Sequence, residues 1–144
     1  MQAGISIARL DDASAERFVP LRRALGVTSF GMNQIPLRPG ERGRIHTHAH
    51  QEEVYLVLSG RLTVEVEGTP HDLGPGEIMR VAPAVRRRIV NLGPGVASVL
   101  ALGGQGEHEG RDATAYADWD AEAGAPPQEV PLPDDLPASA LRTA

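Results

Sequence analysis

Residues 40–60 read GERGRIHTHAHQEEVYLVLSG, and this stretch decides how the rest of the chain is interpreted. His46 and His48 are two positions apart, so on a β-strand both imidazoles project from the same face. The run Glu53–Leu58 is apolar on both faces after its first residue, as expected of a central strand. A carboxylate from this second strand would therefore meet the two histidines on the interior side.

Two histidines and one carboxylate form the facial ligand set that non-haem Fe(II) favours, and the same set suits Mn, Ni or Zn. Such a set leaves coordination positions open for a substrate or for oxygen. The chain contains no cysteine, which excludes disulfides, thiolate nucleophiles, Cys-ligated zinc and iron–sulfur clusters. The stretch therefore predicts a site for a divalent metal ion.

The sequence around this stretch is typical of an all-β protein. Leu62, Val64 and Val66 alternate with polar residues, the pattern of a half-buried antiparallel strand. Short apolar runs separated by Gly- and Pro-containing turns predict a sandwich or a barrel. The predicted strands are Ser29–Leu37, Gly43–His48, Glu53–Leu58, Leu62–Glu67, Glu77–Val81, Arg86–Asn91 and Val96–Leu102.

At these residues the sequence resembles the cupin superfamily. The first motif of that family, G-x5-H-x-H-x(3,4)-E-x6-G, is matched at Gly40, His46, His48, Glu53 and Gly60. The six-residue gap before Gly60 favours Glu53 over Glu52 as the carboxylate ligand. The resemblance thus implies a metal ion held by His46, His48 and Glu53.

The second motif of the family, G-x5-P-x-G-x2-H-x3-N, is present in a degraded form. Gly76 and Asn91 match it, whereas Ala82 and Ala84 replace the usual Pro and Gly. Arg87 stands where the family has the histidine that supplies a fourth metal ligand. A guanidinium stays protonated and cannot ligate a metal ion, so this departure bears directly on function.

Three interpretations of Arg87 are open. In the first, the metal is bound and Arg87 is the catalytic residue that binds a carboxylate or phosphate of the substrate bidentately. In the second, Arg87 pairs with Glu53 and the barrel is free of metal. In the third, another group replaces the missing ligand, with His50 and Gln51 as the nearest candidates.

Length and charge exclude several other classes of protein. The 144 residues fit one domain, and the formal charge of −5 has the wrong sign for a nucleic-acid binder. The sequence shows neither an apolar run of bilayer-spanning length nor a signal peptide, so we expect a cytoplasmic protein without membrane contact. All 14 basic residues are Arg, which indicates GC-rich coding, and we expect a bacterial source.

The chain is predicted to contain a barrel flanked by two terminal segments. Residues 1–28 are expected to form an arm with a short helix beginning near Ser14 and limited by Pro20. The barrel is expected at 29–104, and a short helical or loop extension at 105–122. Five of the twelve prolines fall within 123–144, which predicts an extended or disordered tail.

The resemblance implies a small jelly-roll barrel and a homodimer in which residues before Ser29 cross to the partner. It also implies a protein that acts on or binds a small anionic molecule. One hypothesis is a metal-dependent oxygenase, isomerase or decarboxylase. The alternatives are a metal-free binding or sensing module, and a regulatory or structural dimer with a vestigial site.

Overall fold

The computed structural model describes residues 3–104 and 112–143, most of which belong to β-strands or to segments packed on them. The strands are β1 (Val19–Pro20), β2 (Gly31–Leu37), β3 (Ile45–His48), β4 (Glu52–Ser59), β5 (Leu62–Val66), β6 (Thr69–Leu73), β7 (Ile78–Val81), β8 (Arg87–Val90), β9 (Ala97–Gly104) and β10 (Ala113–Tyr116). The helix α1 spans Leu21–Leu25, and two short 3-10 helices span Pro127–Glu129 and Ala138–Ala140. No helix in these ranges is long or apolar enough to cross a bilayer.

The strands form two five-stranded antiparallel sheets, as the alternation pattern predicts. One sheet has the order β1-β2-β9-β4-β7, and the other has the order β10-β3-β8-β5-β6. Aliphatic side chains from both sheets fill the space between them, and Leu37, Val57, Leu62, Val64 and Val99 have no exposed surface. The all-β fold is therefore confirmed.

Gly60 and Asn91, two residues that match the family motifs, have structural roles. Gly60 has φ = +73°, and a Cβ atom there would lie 2.2 Å from the carbonyl oxygen of Val96. Only glycine fits a turn that is both left-handed and this close to another backbone. The buried Asn91 side chain donates to the carbonyls of Leu37 and Gly95 and accepts the N–H of Gly93.

The segment predicted as a helical or loop extension contains a strand. Residues 105–111 lie outside the described residues, but Ala113–Tyr116 form β10, which pairs with β3 in the register Ala113↔His48. The expectation of a helix there is therefore wrong, because pairing with the free edge of β3 outweighs the weak helical preference of a short Ala-containing segment. Strand β6 is also additional to the prediction; it is an edge strand, where Pro70 is tolerated.

The N-terminal segment lies along its own barrel. Val19–Pro20 pairs with β2, and the backbone N–H of Asp11 donates to the side-chain oxygen of Gln34. The helix expected near Ser14 begins instead after Pro20, where a proline before the first turn is compatible with helix geometry. The crossing of this segment to a second subunit stays a prediction.

The Pro-rich tail, which was expected to be extended or disordered, contains two 3-10 helices and contacts the barrel at several points. The backbone of Ala125 pairs with that of Ala115, and the N–H of Leu136 donates to the carbonyl of Gly40. Near the end of the chain, Arg142 Nη2 lies 2.6 Å from Asp72 Oδ2. The two terminal segments therefore border the barrel, and Phe18, Pro127 and Leu132 help to line a cavity in it.

Candidate metal centre

Three potential metal ligands converge between the two sheets. His46 and His48 project from β3, and Glu53 projects from β4 in the opposite sheet. One donor atom from each residue lies within 4.8 Å of the others. Nε2 of His46 is 3.4 Å from Oε1 of Glu53, and Nε2 of His48 is 3.6 Å from Oε2. The three residues predicted from the sequence are thus brought together by the fold.

The other ring nitrogen of each histidine faces an oxygen acceptor. Nδ1 of His46 lies 3.0 Å from the carbonyl oxygen of Arg44. Since a carbonyl can only accept, Nδ1 carries the hydrogen, and in the neutral ring Nε2 has the free lone pair. Nδ1 of His48 faces Oδ2 of the buried Asp112 at 3.6 Å, which is beyond hydrogen-bond distance, and it has no hydrogen-bond partner among the described residues. Metal-binding histidines are usually oriented by a hydrogen bond such as that of His46, and Asp112 is the nearby carboxylate on the corresponding side of His48.

The arrangement suits a cation between the three side chains. With both Nε2 atoms unprotonated, two nitrogen lone pairs and a carboxylate oxygen are directed toward one small volume. Nε2 of His48 is buried and has no hydrogen-bond partner among the described residues. Leaving a buried acceptor unpaired is costly, and a divalent ion would satisfy all three donors at once. The residues therefore fit the metal that the sequence predicts.

Glu53 is held in its ionised form by its neighbours. Burial is the largest single influence and would raise the pKa of Glu53, but the adjacent imidazoles of His46 and His48 and the charge of Arg87 outweigh it and bring the pKa well below its ordinary value. Tyr55 donates its hydroxyl hydrogen to Oε1 of the same carboxylate. A carboxylate ligand is therefore available at neutral pH.

Arg87 contacts Glu53 and does not reach the cavity. It lies on β8 directly opposite His46, is 0 % exposed, and its Nε is 3.2 Å from Oε1 of Glu53. Its Nη1 donates to three backbone carbonyls, those of Ala82, Pro83 and Val85. Nε and Nη1 are thus engaged by groups of the chain, whereas Nη2 is buried and has no hydrogen-bond partner among the described residues. Binding of an anionic substrate by Arg87 stays a prediction. This placement corresponds to the second interpretation, pairing with Glu53.

The remaining candidates lie outside the cluster. His50 is exposed and is not part of the group of three. The backbone N–H groups of His50 and Gln51 donate to the carboxylate of Asp112. Glu52 projects to the exposed face, where it pairs with Arg80. The carboxylate that faces the histidines is therefore Glu53, as the spacing indicated.

A cavity of about 210 Å³ adjoins the cluster. Its walls combine the polar cluster with residues of both sheets and of both terminal segments: Phe18, Asn33, Ile35, Gly43, Arg44, His46, His48, Glu53, Tyr55, Ile89, Ala101, Ala113, Pro127 and Leu132. The sequence reasoning missed Arg44, Asp112 and the terminal residues. Arg44 could have been identified from the sequence, because it lies two residues before His46 and four before His48, and alternate residues of a strand share a face.

The barrel and its cluster can now be compared with known proteins. Residues 35–103 match the family model of the cupin domain. The barrel is a cupin domain. Among solved structures, a sugar phosphate isomerase from a cupin superfamily, from Silicibacter pomeroyi, aligns with a TM-score of 0.61 and 24% sequence identity, covering 81% of this chain and 79% of that one. At this identity the likeness shows the fold, a double-sheet jelly roll.

Two curated proteins are similar to this chain at the level of sequence. SchB from Streptomyces halstedii is 37% identical over 68 residues, covering 47% of this chain and 49% of SchB. The polyketide synthase CurC from Streptomyces cyaneus is 35% identical over 69 residues, covering 48% of this chain and 45% of CurC. The matched region thus spans about half the length of the curated relatives.

Proposed function

We propose that this cupin binds a divalent metal ion, Fe, Mn, Ni or Zn, through His46, His48 and Glu53. We further propose that it binds or acts on a small anionic organic molecule in the adjoining cavity. The observation that supports the proposal is the convergence of three donor atoms within 4.8 Å, with an oxygen acceptor beside the other nitrogen of each imidazole.

A bound ion of this kind supplies Lewis-acid polarisation of a ligand oxygen or a position for oxygen, which are the chemistries of the oxygenase, isomerase and decarboxylase classes. The chain's own residues prepare the site. Arg87 and Tyr55 fix one oxygen of Glu53 and keep the carboxylate from rotating. Because Arg87 cannot ligate, the protein contributes three ligands and the cavity side remains available to a small molecule.

The lining of the cavity favours a ligand with an apolar body. Ile35, Ile89, Ala101 and Leu132 contribute apolar surface. The polar lining residues are the three of the metal cluster and Asn33, Arg44 and Tyr55. CurC, one of the sequence relatives, is named as a polyketide synthase. A carbon-rich acid related to a polyketide fits this cavity better than a ligand covered with hydroxyl groups, since each buried hydroxyl would need a partner.

One observation favours a second candidate, a metal-free binding module. The guanidinium of Arg87 already balances the charge of Glu53 at 3.2 Å. In that case His46 and His48 would serve as hydrogen-bonding groups of a ligand pocket, and no ion would be needed to keep the carboxylate buried.

Titration calorimetry with Zn²⁺ on chelator-treated protein separates the two candidates. Our proposal predicts binding by the wild type and by His71→Ala, a control on the exposed strand β6, and its loss in His46→Ala. Circular dichroism confirms that the variants are folded. Absence of zinc binding by the folded wild type and control would favour the metal-free module.

A further inference from the structure

We propose that Arg44 binds the acidic group of the ligand, and that the cavity accepts an organic acid whose apolar body lies between the barrel wall and the terminal segments. This inference rests on the proposed function only for the location of the site; the role of Arg44 follows from contacts of the chain itself.

The balance of charge in the cavity points to an anionic ligand. Two of the residues that line it, Glu53 and Arg44, carry a permanent charge at neutral pH. Arg87, which does not line the cavity, balances the charge of Glu53: its Nε lies 3.2 Å from Oε1 of the carboxylate. The positive charge of Arg44 is therefore not balanced by a lining residue and can attract an anionic ligand. A metal ion at the cluster would add further positive charge.

Arg44 has unused donors. Its Nε donates to the carbonyl oxygen of Val130 at 2.6 Å, and its guanidinium makes no ion pair or other hydrogen bond within residues 3–104 and 112–143. Arg88, by comparison, is paired with Glu65 at 2.6 Å. The two Nη atoms of Arg44 are thus free to bind a carboxylate, which a guanidinium recognises with two parallel hydrogen bonds.

The position of Arg44 links this donor to the cluster. Arg44, His46 and His48 occupy alternate positions at and before β3, and all three line the same cavity. Arg44 also borders a neighbouring cleft beneath the tail, next to Tyr116. Its bond to Val130 holds the side chain between these two spaces, which limits its motion and lowers the entropy cost of binding an acid.

The apolar part of the ligand would contact residues of two different origins. Ile35 and Ile89 belong to the barrel, whereas Phe18 and Leu132 come from the segments before and after it. Phe18 and Leu132 are 47% and 41% exposed, a high value for large apolar side chains at the rim of a cavity. A ligand that covers them would gain affinity from the hydrophobic effect, and these rim residues lie outside the region that matches the cupin family.

The test uses benzoate and benzamide, two probes of the same shape of which only benzoate is charged. Binding is followed by ¹H–¹⁵N NMR titration of the full chain, once after chelator treatment and once loaded with zinc. We expect the wild type to prefer benzoate in both states. The variant Arg44→Gln should bind benzoate about tenfold to a hundredfold more weakly, the range for losing a hydrogen bond to a charged group, with benzamide unchanged.

Arg42→Gln is the matched control. Arg42 bonds the carbonyl of Asp134 in the same tail through Nε and Nη2 but does not line the cavity, so this variant loosens the tail without removing the proposed acid-binding group. We expect its benzoate affinity to equal that of the wild type, and Arg44→Lys to retain part of the preference through its charge.

The outcomes separate this inference from the proposed metal site. Three results would each overturn the role of Arg44. The wild type could bind benzoate no better than benzamide, or Arg42→Gln could lose as much benzoate affinity as Arg44→Gln. The preference for benzoate could also require zinc and be unaffected by Arg44→Gln. Zinc content measured in the same samples tests the metal site independently, because Arg44→Gln leaves all three proposed ligands in place.

Discussion

The guanidinium of Arg87 and the carboxylate of Glu53 form an ion pair across the two sheets, with Nε 3.2 Å from Oε1. Arg87 stands at the position where the cupin motif usually has a fourth metal ligand. The arginine places a buried cation next to the carboxylate of Glu53. Hydrogen bonds from its Nη1 to three backbone carbonyls hold the guanidinium in position. Where the histidine of the motif would contact the metal, Arg87 instead pairs with Glu53, one of the three proposed ligands.

Replacing Arg87 should destabilise the fold. In Arg87→Gln, Glu53 loses its ionic partner and buried carbonyls lose donors, so the free energy of unfolding should fall by about 3 kcal/mol, the lower end for breaking a buried pair. Urea denaturation of chelator-treated protein measures this change without a contribution from bound metal.

Arg88→Gln is the control for that experiment. Arg88 is the next residue along β8 but faces outward, where it pairs with Glu65; their side chains are 15% and 21% exposed. Its loss should cost about 1 kcal/mol or less, as for other pairs near the surface. Equal effects of the two substitutions would contradict the structural role of the Arg87–Glu53 pair.

Asp112 should affect metal binding without touching the ion. Its carboxylate faces Nδ1 of His48 at 3.6 Å and accepts the backbone N–H groups of His50 and Gln51. Asp112→Asn should lower zinc affinity about tenfold, the usual size of losing an orienting acceptor. Competition with a chromophoric chelator measures the affinity, and thermal unfolding checks the fold. Unchanged affinity in a folded variant would show that Asp112 does not orient His48.

The contact of the tail with the barrel should be visible in a pH titration. The hydrogen bond from Arg142 is the main cause that lowers the pKa of Asp72. Because the folded-state pKa is lowered, the pair stabilises the fold above the ordinary pKa of an aspartate, and this contribution is lost as the pH falls through the folded-state pKa.

In Arg142→Gln the pKa of Asp72 should therefore rise toward its ordinary value, and the loss of stability on acidification should become smaller. NMR titration of the Asp72 carboxyl carbon measures the pKa in both proteins, and thermal unfolding at several pH values follows the stability. An unchanged pKa would mean that this end of the tail does not contact the barrel in solution.

The fold and the central cluster were predictable because local sequence patterns indicate them. Alternation at Leu62, Val64 and Val66 identifies a strand from its own residues, and the two-residue spacing of His46 and His48 places both rings on one face. Glu53 could be assigned by its gap to Gly60 in the family motif. Each of these inferences needs only residues close together in the chain.

The remaining features depend on contacts between distant residues. Ala113–Tyr116 becomes a strand because the edge of β3 is free to pair with it, and nothing in its own composition indicates this. Asp112 reaches His48 through that same pairing. The environment of Arg87 could not be predicted from the sequence either. The alternation of side chains along β8 predicts which face Arg87 projects from, but not which carbonyls surround it.

Metal content measured by mass spectrometry tests the central claim most directly. The protein should be untagged and purified without chelator or nickel resin. The account predicts about one divalent ion per chain in the wild type, held by the two histidines and the carboxylate, and its loss in His46→Ala with the fold retained. A wild-type protein that is isolated without metal, and takes up none of Fe, Mn, Ni or Zn on incubation, would contradict the account.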